Sequence, residues 1–423
     1  MRKLILILVC IGLLSLPLSA MAATEAEKQA AIDKGLAYLA SIQSVVDGGM
    51  PGSYRLASTA AAVLAWAEEG STISGGPYQT NVQNALNYVF TRAFSQQIGP
   101  QTYIGNPDTN IANGSGVYFD YNSRPTYEVG LAIPAIVKGG APGAFVTTGS
   151  QAGRTYLDVV KDTVDWVAWA QNEAGGNQYR GGWRYSGNYS SSDNSVSQWP
   201  VIGLLYASEW GAVPNPLVKN ELALWVNYIQ NMAAGPNYGA SGYTAPGDWN
   251  NPSKTGGLLI QKDYLGVALG DPRVQAALGY INNKWQTIGD DGNFQSAYAM
   301  WAIYKGLELT IGLDDIAEIT NLRNQALLRG GLGAPLDPGD TWNWFEDYCE
   351  YLVSTQTDLG GGLGRWTNVG GYSDSYLGTA WYINILAATE IPGPNGIPEP
   401  ATLILLGSGL AGLAGYARKR MKK

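Results

Sequence analysis

The chain has no histidine, and only two of its 423 residues are cysteine. Without imidazole, the commonest general base and the commonest zinc ligand are both missing. That excludes Ser-His-Asp and Cys-His catalysis and histidine-held metals. Cys10 lies in an apolar N-terminal run, so loss of that run leaves Cys349 without a partner and the chain without a disulfide framework. Charge is sparse as well: Asp, Glu, Lys and Arg make up 14% of the residues, with a formal net charge of -8. That balance argues against nucleic acid and anionic membrane surfaces as partners. Phenylalanine is scarce, at 6 residues, against 14 Trp and 26 Tyr, so most aromatic rings carry a polar tip. Glycine, at 55 residues, is abundant.

The two ends differ from the middle. Arg2-Lys3 precedes an apolar stretch from Leu4 to Leu14, and Ala20-Met21-Ala22 gives the small-x-small pattern of a signal peptidase site. The apolar core is shorter than the ~20 residues a membrane span needs, so residues 1–22 read as a cleavable signal peptide cut after Ala22. At the other end stand Pro398-Glu399-Pro400, seventeen uncharged residues from Ala401 to Ala417, and the basic run Arg418-Lys419-Arg420-Met421-Lys422-Lys423. At ~1.5 Å per residue the uncharged stretch is about 26 Å long, the short end of a transmembrane helix, and the basic run would stay cytoplasmic. With the seven basic residues of the two ends and Glu399 removed, 26 basic and 34 acidic residues fall to 19 and 33, a net of about −14.

This order of Pro-Glu-Pro, short apolar helix and basic tail resembles the PEP-CTERM sorting signal. The resemblance covers only the last 27 or so residues, 393–423 being the tail as a unit. It implies a bacterium with an outer membrane and processing near Pro398, Glu399 and Pro400 by an exosortase, a membrane-embedded protease. It further implies passage through the inner membrane on the C-terminal helix, then delivery to the cell surface or the exopolysaccharide matrix.

Between the ends, residues 23–392 repeat one unit about six times. Each unit opens with an amphipathic segment carrying an aromatic-aliphatic pair: Tyr38-Leu39, Tyr88-Val89, Trp166-Val167, Trp225-Val226, Tyr280-Ile281 and Tyr351-Leu352. In four units a glutamine follows the aromatic by five positions, at Gln43, Gln171, Gln230 and Gln356. Gly-, Asn- and Asp-rich loops come next, and then a second, more apolar helix whose expected starts are Thr59, Thr126, Ser195, Thr255, Ser296 and Ser375. Apolar helices of this kind belong inside. Six hairpins bury them by closing a ring, so the expected fold is all-α, a single α/α toroid of about six helix hairpins, flanked by the signal helix and a transmembrane helix over 401–417.

Gln171 precedes Gly181-Gly182-Trp183, and Gln356 precedes Gly364-Arg365-Trp366. In this the repeats resemble the prenyltransferase and squalene-cyclase repeat superfamily, with a degenerate match over roughly Ala31 to Glu390. The chemistries of that superfamily do not follow. The acid pairs Asp290-Asp291 and Asp314-Asp315 lack the Asp-x-Asp-Asp order, the Asp, Cys and His zinc site of the prenyltransferase subunits cannot be built without histidine, and no Cys-Gly-Glu-Gln thioester is present. No cofactor and no metal are expected.

What remains is a binding or structural module on an exported surface protein, whose partner would be an exopolysaccharide or other glycan, or a protein. The alternative is a glycan-active enzyme, a glycoside hydrolase or polysaccharide lyase, since two carboxylates suffice for glycoside hydrolysis. Candidate catalytic acids are Asp193, Asp290, Asp291 and Asp374, each of which could equally cap a helix or shape a turn. Candidate binding residues are Trp183 and Trp366, which could stack on sugar rings or pack repeat junctions, and their neighbours Arg184 and Arg365.

Overall fold

A computed structural model describes residues 23–173, 178–323 and 342–390. The signal segment with Ala20 and Ala22, and the tail with Pro398, Glu399, Pro400 and the 401–417 run, lie outside the described residues. The described chain is helix-rich, with twelve α-helices: α1 (Glu25–Ile42), α2 (Arg55–Glu68), α3 (Gln79–Thr91), α4 (Pro125–Gly139), α5 (Tyr156–Ala170), α6 (Asn194–Ser208), α7 (Leu217–Ile229), α8 (Pro252–Tyr264), α9 (Pro272–Lys284), α10 (Ala297–Ile311), α11 (Trp344–Thr355) and α12 (Ser375–Leu386). No helix among the described residues is long and apolar enough to cross a membrane.

The even-numbered helices pack on one another in a closed order: α2 on α4, α4 on α6, α6 on α8, α8 on α10, α10 on α12, and α12 back on α2. They are buried around almost their whole circumference, whereas α1, α3, α7, α9 and α11 bury one face against them and α5 is covered by the strand over 115–119 as well. Every aromatic-aliphatic pair of the repeat falls in an odd-numbered helix and is buried. Glycines set the closest helix crossings: a Cβ at Gly130 would lie 2.3 Å from the Trp199 carbonyl oxygen, and one at Gly256 2.6 Å from that of Ala302.

The repeated glutamines stand at the C-caps of α1, α5, α7 and α11. Gln171 Nε2 donates to Gly181 O in its own loop (2.8 Å) and to Val218 O on α7 (3.0 Å). Gln230 does the same with Gly239 and Arg273 on α9, and Gln43 with Gly48 and Asn81 on α3. Gln356 donates to Ala31 O on α1, tying the last outer helix to the first. One amide per junction thus satisfies loop and helix carbonyls that burial would otherwise leave unpaired.

Only one of the expected helix starts is the cap itself: Ser296, whose side chain accepts from Ala299 N. α6, α8 and α12 are capped by Asp193, Asn251 and Asp374, while α2 and α4 begin after Tyr54 and Arg124 without a side-chain cap. Thr59, Thr126, Ser195, Thr255 and Ser375 lie inside their helices. Asp and Asn reach the first free amides as well as Ser does, and they stand earlier in the chain. The inner hydroxyls instead receive loop N–H groups: Met50 N on Thr59, Trp183 N on Ser197, Ser241 N on Thr255 and Trp366 N on Thr379.

Two small antiparallel sheets were not expected of an all-α chain. β1 (Ala93–Gln97) pairs with β2 (Ser115–Phe119), and β3 (Thr357–Gly360) with β4 (Leu363–Arg365). The second turns through Gly360, Gly361 and Gly362, all at positive φ, where a side chain would be strained.

Candidate functional site

The inner helices run so that all six N-terminal ends border one cavity of about 550 Å³. Below it the ring is closed by tryptophans from three helices, with Trp199 stacked on Trp381 at 5.7 Å and Trp301 on Trp381 at 6.4 Å between centroids. Nine of the twenty lining residues are aromatic, among them Trp249 and Tyr372 on the rim, 47% and 42% exposed. Trp249 is held from several sides. Its indole N–H donates to Asp291 Oδ1 (2.7 Å), the Tyr243 ring meets it edge-on at 5.6 Å, and the Lys254 ammonium lies 4.4 Å from its centre. Its backbone adopts φ +43°, a left-handed conformation rare for a bulky residue and costly to keep.

One carboxylic acid and one amine of the lining are buried. Glu128, in the first turn of α4, is 4% exposed; its Oε2 accepts from Tyr121 N (2.6 Å). Burial, reinforced by the charge of neighbouring Asp120 and by a hydrogen bond that protonated Glu128 donates to it, raises its pKa to about 8. Lys254, in the first turn of α8, is 2% exposed, and burial lowers its pKa to about 8. A hydroxyl chain runs along one wall: Tyr127 OH meets Ser195 Oγ (2.8 Å), which donates to Asp193 Oδ1 (2.6 Å). Burial raises the pKa of Asp193. Tyr185 and Tyr243 join their hydroxyls at 2.7 Å beside it.

Of the four candidate acids, Asp193 is fully buried behind Ser195 as the α6 cap, and Asp374 caps α12 while its Oδ2 accepts from Ser53 N. Asp291 is exposed and orients Trp249 and Asn251; Asp290 is exposed and accepts from Gly371 N. They ring the mouth, but none is among the lining residues. Trp183 and Trp366 are 0% and 1% exposed, and their indoles donate to Val167 O and Leu352 O of the preceding outer helices. They pack the repeat junctions and present no face to the cavity. Arg365 donates to Tyr38 OH away from it. Arg184 lies against Tyr185 and Tyr243 at its edge. Glu128, Lys254 and Trp249 are the residues that sequence reasoning missed. The one available signal was a charge in the first turn of an otherwise apolar inner helix, as in "PTYEVGLAI" and "PSKTGGLLI".

Residues 396–420 match the PEP-CTERM protein-sorting motif. The chain therefore carries the signal of an exosortase substrate, and that signal implies export and sorting to the cell surface. Over 87% of its length and 94% of the other chain, the structure is similar to the crystal structure of a reducing-end-xylose releasing exo-oligoxylanase complexed with xylose, at a TM-score of 0.35 and 12% identity. A likeness that loose carries no argument about activity. No curated protein matches the sequence.

Proposed function

We propose that the chain is an exported surface or matrix protein of a diderm bacterium, released from the membrane after exosortase processing, and that its helical domain is an α/α toroid of six hairpins binding glycan at its mouth. The observation that carries the binding reading is the cavity: it is walled by aromatic rings and hydroxyls, with Trp249 fixed and half exposed at the rim. A rigid, partly exposed indole offers a sugar ring a stacking face at little entropic cost. The closed order of the inner helices and the Gln356 tie from α11 to α1 support the toroid. The chain leaves the domain on the opposite face, where Tyr206 OH holds Glu390 O and Tyr304 OH holds Thr389 O near the C-terminal ends of α6 and α10.

Affinity electrophoresis through gels containing single polysaccharides tests the binding reading. The wild type should be retarded by at least one polymer, and Trp249→Ala should lose most of that retardation, at least tenfold in Kd, while its unfolding free energy shifts by no more than about 1 kcal/mol. Migration unaffected by every polymer would remove the glycan reading.

One observation favours a second reading, a glycan-active hydrolase. Glu128 lines the cavity and keeps its proton at neutral pH, the state a general acid requires. Release of reducing ends that Glu128→Gln abolishes would establish it.

A further inference from the structure

Lys254 is a buried residue whose ammonium meets the Trp249 ring but, among the described residues, no counterion. Among the described residues its Nζ makes no ion pair and no hydrogen bond, although it is 2% exposed and lines the cavity. Buried Lys28 and Lys305 each hold a glutamate at 2.7 to 2.9 Å. Lys262 is likewise buried and unpaired, but it does not line the cavity. An uncompensated buried charge costs several kcal/mol, by order of magnitude, unless a partner arrives. The acids nearest Lys254 are committed elsewhere: Asp291 to Trp249 and Asn251, Asp193 to Ser195, Asp248 to Thr244 Oγ1. Two guanidinium groups flank the same wall, Arg124 and Arg184 lying 5.2 and 5.3 Å from the Tyr185 ring, and neither forms an ion pair among the described residues. Glu128 keeps its proton below about pH 8 and adds no negative charge to the cavity there.

We propose that the cavity takes an acidic glycan, a polymer of uronic acid units, with a sugar ring stacked on Trp249 and its carboxylate paired with Lys254, while Arg124 and Arg184 hold neighbouring carboxylates. The proposal rests on the glycan-binding reading above and names the class of glycan. It asks for a ligand with an apolar ring face and an anion on the same unit, which a neutral sugar and a free inorganic anion each supply only in part. The chain carries a net charge of -8, so its long-range field repels a polyanion. Binding of one therefore reports local compensation in the cavity.

The test is calorimetric titration of the purified protein with polygalacturonate and alginate, and with the carboxyl-reduced, neutral form of each, at pH 6.5. The wild type should bind at least one uronate polymer tenfold or more tightly than its reduced form. Lys254→Met should abolish that preference. Arg124→Gln, at an exposed position where folding is not at stake, should weaken uronate binding several-fold and leave the reduced polymers unaffected. Equal affinity for native and reduced polymers, or a preference that survives both substitutions, overturns the acidic-glycan inference. If neutral polymers bind in that case, the glycan reading stands. If no polymer of either kind binds, both fall.

Discussion

Glu128 keeps a proton that a solvent-facing glutamate gives up near pH ~4.3. Because its folded pKa is raised to about 8, the stability it contributes is fully present below the unfolded value and is lost as pH rises through about 8. Lys254 works in the other direction: lowered to about 8, it makes the fold gain stability between about pH 8 and its unfolded value near ~10.4. Glu128→Gln keeps an acceptor for Tyr121 N and a donor toward Asp120 while removing the titration. Urea unfolding should show the variant gaining on the wild type by on the order of 3 kcal/mol between pH 5 and pH 8. A constant difference across that range would mean that Glu128 titrates normally. Neither residue was legible as a site residue in the sequence. Each occupies the first turn of an inner helix, and the sequence pattern does not say which first-turn residues become buried at the cavity. Trp183 and Trp366 were legible as candidates either for sugar stacking or for packing the repeat junctions, and they lie in the junctions. Their burial follows from the carbonyls of Val167 and Leu352, which take up the indole N–H groups.

At the scale of the element, the repeat was readable because its residues do the same work in each copy. Four glutamines placed five residues after an aromatic all prove to be C-caps that bond forward to the next outer helix or, for Gln356, back to α1. Gln171→Ala would leave the carbonyls of Gly181 and Val218 unpaired in a buried junction, at a cost of about 2 kcal/mol, measurable by chemical denaturation. A loss within experimental error would mean that water or a rearranged loop replaces the amide. Five of the six inner-helix starts were read one to five residues late: at α6, α8 and α12, Asp193, Asn251 and Asp374 precede the hydroxyls and cap first, while α2 and α4 begin without a side-chain cap. The short β pairs escaped notice because their ladders are held by loop context, β3 and β4 being joined through glycines that resemble any turn.

For the molecule as a whole, the cavity exists only because six helix N-termini, drawn from Tyr54 to Trp381 along the chain, meet at one mouth. Helix content and the order of repeats can be read from periodicity; which side chains converge depends on ring closure, and single-chain spacing does not encode it. The sorting tail is the opposite case, a local signal complete in 396–420 and legible without any fold. Both termini are expected to be absent from the protein that reaches the outside. The direct measurement is intact mass of the protein recovered from culture medium, compared with a variant in which Pro398, Glu399 and Pro400 are all alanine. Loss of the residues before Ala23 and of the tail in the wild type, with the variant retained in the membrane fraction at full C-terminal length, is the expected result. Both proteins staying in the membrane with the tail intact would contradict it and reduce the tail to an anchor.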